Sequence, residues 1–311
     1  MNEPRRLPQL DGHRLFLTDG GIETSLIFQQ GVPLRDFAAF ELLATPQGTA
    51  ALDRYYTPYL ELARRTGTGF LLESPTWRAS ADWGARLGHG ASALRSLNVR
   101  AIELMHDLAS RYAAVTSVVS GCVGPRGDGY VAGESMSIDE AADYHDAQIA
   151  AFRDAGAAMI GAITMTNVNE AIGVARASIR HGLPVALSFT VETDGRLPSG
   201  ERLLEAVRQV EAATDGAVAY FMVNCAHPSH FEAELRSGDG PRERIAGIRA
   251  NASCKSHAEL NDSTSLDAGD PVALGADYAR LRALLPRLRV VGGCCGTDPR
   301  HVEQMGIALA A

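Results

Sequence analysis

Leu288-Arg289-Val290-Val291-Gly292-Gly293-Cys294-Cys295-Gly296-Thr297, near the end of the 311-residue chain, joins a short apolar run to two adjacent thiols bracketed by three glycines. Leu288 to Val291 reads as a buried strand, and the thiols fall just past its carboxyl end. A vicinal pair makes a poor disulfide, because closing it forces a strained ring far from ordinary bridge geometry. Neighbours on an extended strand point to opposite faces, so both sulfurs reach one ion only where the chain bends, and Gly296 permits that bend. The stretch therefore reads as part of a metal site that takes a further ligand from elsewhere.

Working back from this stretch, the same strand-then-loop unit recurs. Leu15 to Leu17 runs into Thr18-Asp19-Gly20-Gly21, and Gly69 to Leu72 into Glu73-Ser74-Pro75-Thr76. Thr116 to Ser120 meets Gly121-Cys122-Val123-Gly124-Pro125, Met159 to Ile163 forms a fourth strand, and Pro184 to Phe189 ends near Glu192. Ala219 to Val223 is broken by Asn224-Cys225-Ala226-His227-Pro228, and Ile245 to Ile248 ends at Arg249-Ala250-Asn251. Helical segments separate them. From Thr49 to Arg65, for example, Leu52, Tyr55, Tyr56, Tyr59, Leu60 and Ala63 recur at helical spacing, and Pro271 opens a helix to Leu285. Eight apolar strands, seven followed by a helical segment before the next, predict a single (β/α)8 TIM barrel over residues 1–311. An open doubly wound sheet is the alternative, disfavoured because no Gly-x-Gly-x-x-Gly follows the first strand. The loop from Asn251 to Asp270 is long for a compact domain, which marks it as functional or mobile.

Composition agrees with a large buried core: 46% of residues are hydrophobic and 21% charged. The formal net charge of −8 argues against nucleic-acid binding. Met1 to Asp11 lacks the apolar core of a signal peptide and no run is long enough to span a membrane, so a cytoplasmic location is expected. Five unevenly spaced cysteines fit a reducing compartment with metal-binding or reactive thiols better than a disulfide framework. The number of subunits is not readable.

In such a barrel the active site lies at the carboxyl ends of the strands. Cys225 ends the sixth strand and the vicinal pair ends the eighth, with one strand between them, so three inward-leaning sulfurs can meet at one zinc ion. Cys122 and Cys254 read instead as small apolar core residues, and His227 as a loop residue. Three thiolates make zinc a weak Lewis acid toward water, but a coordinating substrate thiol is deprotonated outright. The chemistry indicated is attack by a thiolate on an electrophilic carbon. The competing readings are a zinc hydrolase or lyase using metal-bound water, and a non-enzymatic zinc- or thiol-binding barrel; the first wants a histidine-rich ligand set and the second four closed ligands.

Asp19-Gly20-Gly21 with Glu23-Thr24, Gly124-Pro125, Val223-Asn224-Cys225 and Gly292-Gly293-Cys294-Cys295-Gly296-Thr297 resemble the zinc-dependent homocysteine S-methyltransferases over nearly the whole chain. The resemblance implies a barrel, Zn2+ on Cys225, Cys294 and Cys295, a catalytic role for Asp19 and Asn224, and Asp19, Gly20 and Gly21 near the amino-acid end of a thiol substrate. It also shows departures. Where the family carries a Glu that holds the substrate amino group, this chain has Ile163; Glu73-Ser74-Pro75 and Arg249-Ala250-Asn251 replace the family's segments after the second and seventh strands. An ammonium buried without a partner costs several kcal/mol. Glu73 or Glu192 is therefore expected to substitute, or Arg249 to meet an acidic group on a different thiol or selenol. Asn251 completes the expected substrate contacts. The expected partners are a small thiol and a free sulfonium or quaternary ammonium methyl donor, with Trp77 and Trp83 as candidate aromatic faces for the cation.

Overall fold

A computed structural model describes residues 7–310 except 132, 134, 238 and 264, so the first six residues of the opening stretch lie outside it. Eight strands, β1 (Phe16–Leu17), β2 (Gly69–Glu73), β3 (Ser117–Val123), β4 (Met159–Met165), β5 (Val185–Phe189), β6 (Tyr220–Asn224), β7 (Ile245–Ala250) and β8 (Val290–Gly293), pair in parallel and in sequence order. β1 pairs with β8 through Phe16↔Val290 and Leu17↔Val291, which closes the barrel and excludes the open sheet.

The period-two alternation of strand side chains divides the core. Phe16, Leu71, Val118, Met159, Tyr220 and Val290 form one buried cluster within the barrel. Leu17, Phe70, Leu72, Val119, Ile160 and Val291, their sequence neighbours, pack outward against the helices. The same parity decides what the rim presents. Leu71 inside puts Glu73 inside, and Tyr220 and Met222 inside put Asn224 inside.

Long helices surround the strands, among them Pro46–Thr66, Ala91–Arg111, Ile138–Asp154 and Val168–Arg180. Their starts follow capping chemistry: Thr45 accepts from Gly48 N ahead of Pro46, and Ser137 with Glu140 forms a reciprocal capping box. Several strands run further than their apolar cores suggest. β3 continues to Val123, so Cys122 lies within a strand, and β7 continues to Ala250, so Arg249 does too. Gly121 stays extended because it makes room: a Cβ there would sit 2.4 Å from the Phe152 ring. The stretch from Asn251 to Asp270 contains a short helix, His257–Asn261, capped by Ser256 and Glu259. No helix among the described residues is long and apolar enough to cross a membrane.

Candidate active site

The rim residues converge on one cavity of about 370 Å³ at the carboxyl ends of the strands. Its wall includes Cys225, Cys294 and Cys295, whose sulfurs all lie within 4.8 Å of one another. Cys294 Sγ is 3.1 Å and Cys295 Sγ 3.7 Å from Cys225 Sγ. Ligands at a Zn–S distance of about 2.3 Å and tetrahedral angles stand roughly 3.8 Å apart, so this donor set fits zinc.

Local backbone brings the sulfurs together. Cys225 leaves β6 with φ 55° and Gly296 follows the pair with φ 79°, both left-handed conformations that turn the chain out of the strand. Cys225 N donates to Arg249 O and Cys294 N to Ala250 O, which ties both loops to β7 between them. Hydrogen bonds from Cys225 and then Cys295 hold the Cys294 thiol well below the ordinary range, with Arg249 adding to the effect. The same contacts and burial push Cys225 up. The sulfurs are close enough to share protons, and a cation among them would draw those protons off.

Around the sulfurs lie residues the sequence did not single out. Tyr130, from the glycine-rich loop after β3, places its hydroxyl 3.2 Å from Cys295 Sγ and 3.5 Å from Cys225 Sγ. Its ring meets that of His257 at 4.4 Å, and His257 Nε2 lies 2.6 Å from Cys225 O. Glu192 is 3.0 Å from His257 Nδ1; it is turned to the histidine and does not line the cavity. The unusual length of the Asn251–Asp270 loop was the signal that pointed toward His257.

On the other side of the rim, Arg249 is buried between two carboxylates. Its Nη2 donates to Asp19 Oδ1 at 2.7 Å, its Nη1 to Glu73 Oε2 at 2.9 Å, and its Nε to Gly293 O at 3.2 Å. The outer oxygens are also taken: Tyr55 OH donates to Asp19 Oδ2 and Ser120 Oγ to Glu73 Oε1, each at 2.8 Å. Burial raises the pKa of both carboxyls against the opposing pull of Arg249. Glycine makes room here, since a Cβ on Gly161 would stand 2.0 Å from Glu73 Oε1. Gly20 and Gly21 have no space for a side chain either; a Cβ on Gly21 would lie 2.6 Å from Cys294 O.

Ile163 faces this cavity, as the fourth-strand position predicted. Asn224 is fully buried below the wall: its Oδ1 accepts from Thr164 N and Ser188 Oγ, and its Nδ2 donates to Thr164 Oγ1 and lies 4.0 Å from Cys294 Sγ. Asn251 is buried outside the wall, and its Oδ1 has no hydrogen-bond partner among the described residues. Trp77 lines the cavity, whereas Trp83 lies beneath Arg78, whose guanidinium stacks 3.9 Å from the indole. Cys122 is buried in the barrel as expected, but Cys254 is exposed, because its loop stands out from the core. His227 contacts Ser229 and Asp277 away from the sulfurs.

A family model described as homocysteine S-methyltransferase matches residues 16–309. The methionine synthase of Mycobacterium tuberculosis is 32% identical over 153 residues, 45% of this chain and 11% of that protein, so the chain spans only about a tenth of that relative's length. Homocysteine S-methyltransferase 1 of Arabidopsis thaliana is 23% identical over 92% of this chain and 91% of its own. Among solved structures, the oxidized form of the homocysteine methyltransferase MmuM from Escherichia coli superposes with a TM-score of 0.78 at 21% identity, covering 98% of this chain and 99% of that one. Its metallated form gives 0.75 at the same identity and coverage. At this identity the likeness speaks for the fold.

Proposed function

We propose, since the chain belongs to the homocysteine S-methyltransferase family, that it transfers a methyl group from a small onium donor to the sulfur of homocysteine or a closely related thiol or selenol. The observation that carries the reading is the three-sulfur cluster of Cys225, Cys294 and Cys295 opening on a cavity large enough for two small molecules. These three cysteines would hold zinc, which when bound keeps a coordinating substrate thiol deprotonated at neutral pH.

The chain's own residues supply position and exclusion of water. Asn224 bonds the end of β4 to β5 beneath Cys294, so the sulfur-bearing loop rests on a fixed polar support. Asp19, Glu73 and Arg249 form a charged wall in which every carboxylate oxygen has a partner. Asp19 thus acts by fixing the loop that faces the cysteines. At the cavity mouth Phe28 and Phe37, each 46% exposed, join Trp77 as faces for a cationic donor. The transfer forms one sulfur–methyl bond on the acceptor thiolate. It breaks the donor's own bond to that methyl, and the electron pair leaves with the donor as a neutral thioether or tertiary amine.

The test measures metal content and incubates homocysteine with a sulfonium donor, S-methylmethionine, or a quaternary ammonium donor, glycine betaine. Loss of free thiol that requires the metal and disappears in Cys294→Ser is the expected result. A metal-stripped protein that works at the original rate would sink the reading.

A further inference from the structure

The ammonium of an amino-acid thiol has no carboxylate to meet where the family resemblance placed one, because that position is Ile163. The acids expected to substitute are both engaged elsewhere. Glu73 gives one oxygen to Arg249 and the other to Ser120. Glu192 is paired with His257 outside the cavity wall. Asp19 accepts from Arg249 and Tyr55, and a second cation beside Arg249 would be repelled by it.

Two further acids on the wall are also engaged: Asp128 accepts from Tyr130 N and lies 3.8 Å from Arg78, and Asp267 accepts from Ser253 Oγ and Gly269 N and lies 3.4 Å from Lys255, which leaves Glu23. Glu23 lies in the helical turn Ile22–Thr24 just after β1, lines the cavity, and forms no ion pair among the described residues; its carboxylate meets only its own backbone amide. The turn is stitched to the sulfur-bearing loop. Gly21 N donates to Thr297 O at 3.1 Å, and Gly296 N to Thr24 Oγ1 at 3.3 Å. The turn that carries Glu23 is thereby fixed against the loop that carries Cys294 and Cys295.

We infer that the acceptor carries an amino group and that Glu23 is the residue that holds its ammonium. The inference rests on the thiol-acceptor reading above. Its chemistry is that of a carboxylate partly withdrawn from water without a counter-ion, which is costly until a cation reaches it. Burial, with the nearby Cys294 charge adding, accordingly pushes the Glu23 carboxyl up to about 7. Arg78, lining the same cavity, favours the ionised form of Glu23 yet does not pair with it.

The experiment is calorimetric titration of zinc-loaded protein with homocysteine and with the mercaptobutanoate that lacks only the amino group. The wild type is expected to bind homocysteine about tenfold or more tightly than the des-amino thiol, and Glu23→Gln to erase that preference while changing des-amino affinity by less than about threefold. A preference that survives in Glu23→Gln, or a wild type with no preference, overturns the assignment and leaves methyl transfer to a thiol standing. If Glu23→Gln instead raises the KM of the onium donor with homocysteine affinity unchanged, Glu23 serves the donor's cation and the inference fails. A wild type that binds neither thiol removes the thiol-acceptor reading and this inference with it. The wild-type comparison needs no variant, so a poorly folded Glu23→Gln does not protect the idea.

Discussion

Arg249 reaches from β7 to Asp19 at the end of β1, Nη2 to Oδ1 at 2.7 Å, across 230 positions of sequence. The contact crosses over β8, the strand that carries the vicinal cysteines, and Arg249 Nε donates to Gly293 O on the way. The guanidinium therefore joins three strand ends around the sulfur-bearing loop, and removing it leaves two carboxylates buried with no cation.

Arg249→Met is expected to lower stability by about 3–5 kcal/mol, because breaking a buried pair strands its partners. Urea unfolding of the variant measures it. A loss within the scatter of the wild type would mean that Asp19 and Glu73 protonate at no cost.

The thiols divide into two groups by place. Cys122 sits in the barrel and Cys254 on the surface, and neither joins the three-sulfur cluster. Cys122→Ser and Cys254→Ser should keep the wild-type metal stoichiometry, measured by elemental analysis after dialysis. Serine at 225, 294 or 295 should lose it. Equal loss across all five variants would contradict the assignment.

Tyr130 sets its hydroxyl against two of the sulfurs without lying on a strand. Its replacement by Phe should weaken metal affinity by about tenfold, the usual effect of losing a hydrogen-bonding partner of a ligand. Competition with a chromophoric chelator reads this. An unchanged affinity would make the 3.2 Å contact incidental to the metal.

Glu23 also predicts a pH dependence in the metal-free protein. Its folded pKa of about 7 lies above the ordinary value of 4.5, so between these pH values the folded chain binds more protons than the unfolded one. Stability therefore falls as pH rises through that window, by roughly 3 kcal/mol or less from this group. Asp19 and Glu73 shift in the same direction, so the measurement is the difference between wild type and Glu23→Gln. Parallel stability profiles for the two proteins would refute the shift.

The barrel and the three-cysteine cluster were legible because both are written locally. Short apolar runs at regular intervals give strands, and a Cys-Cys step between glycines does not pack as an ordinary core. The substrate wall was much less legible. Arg249, Asp19 and Glu73 come from three strands, and their pairing depends on register and on the space left at Gly161, neither of which a single segment displays. Glu23 stands within a motif but gives no sign of its place, since a glutamate in a first helical turn ordinarily favours the helix dipole and faces solvent. Only the stitching of residues 21–24 to 294–297 turns it to the cavity. Glu192 shows the converse: a strand-end acid by sequence, it is drawn away by a histidine 65 positions on.

The bond from Gly296 N to Thr24 Oγ1 joins residues 272 positions apart. Such a seam sets a schedule on synthesis as well as a shape. Until β8 has been made, β1 has one neighbour, Cys225 stands without its companions, and no ion can be captured by all three sulfurs. Capture of an ion by the full cluster must therefore follow synthesis of β8 and the loop after it.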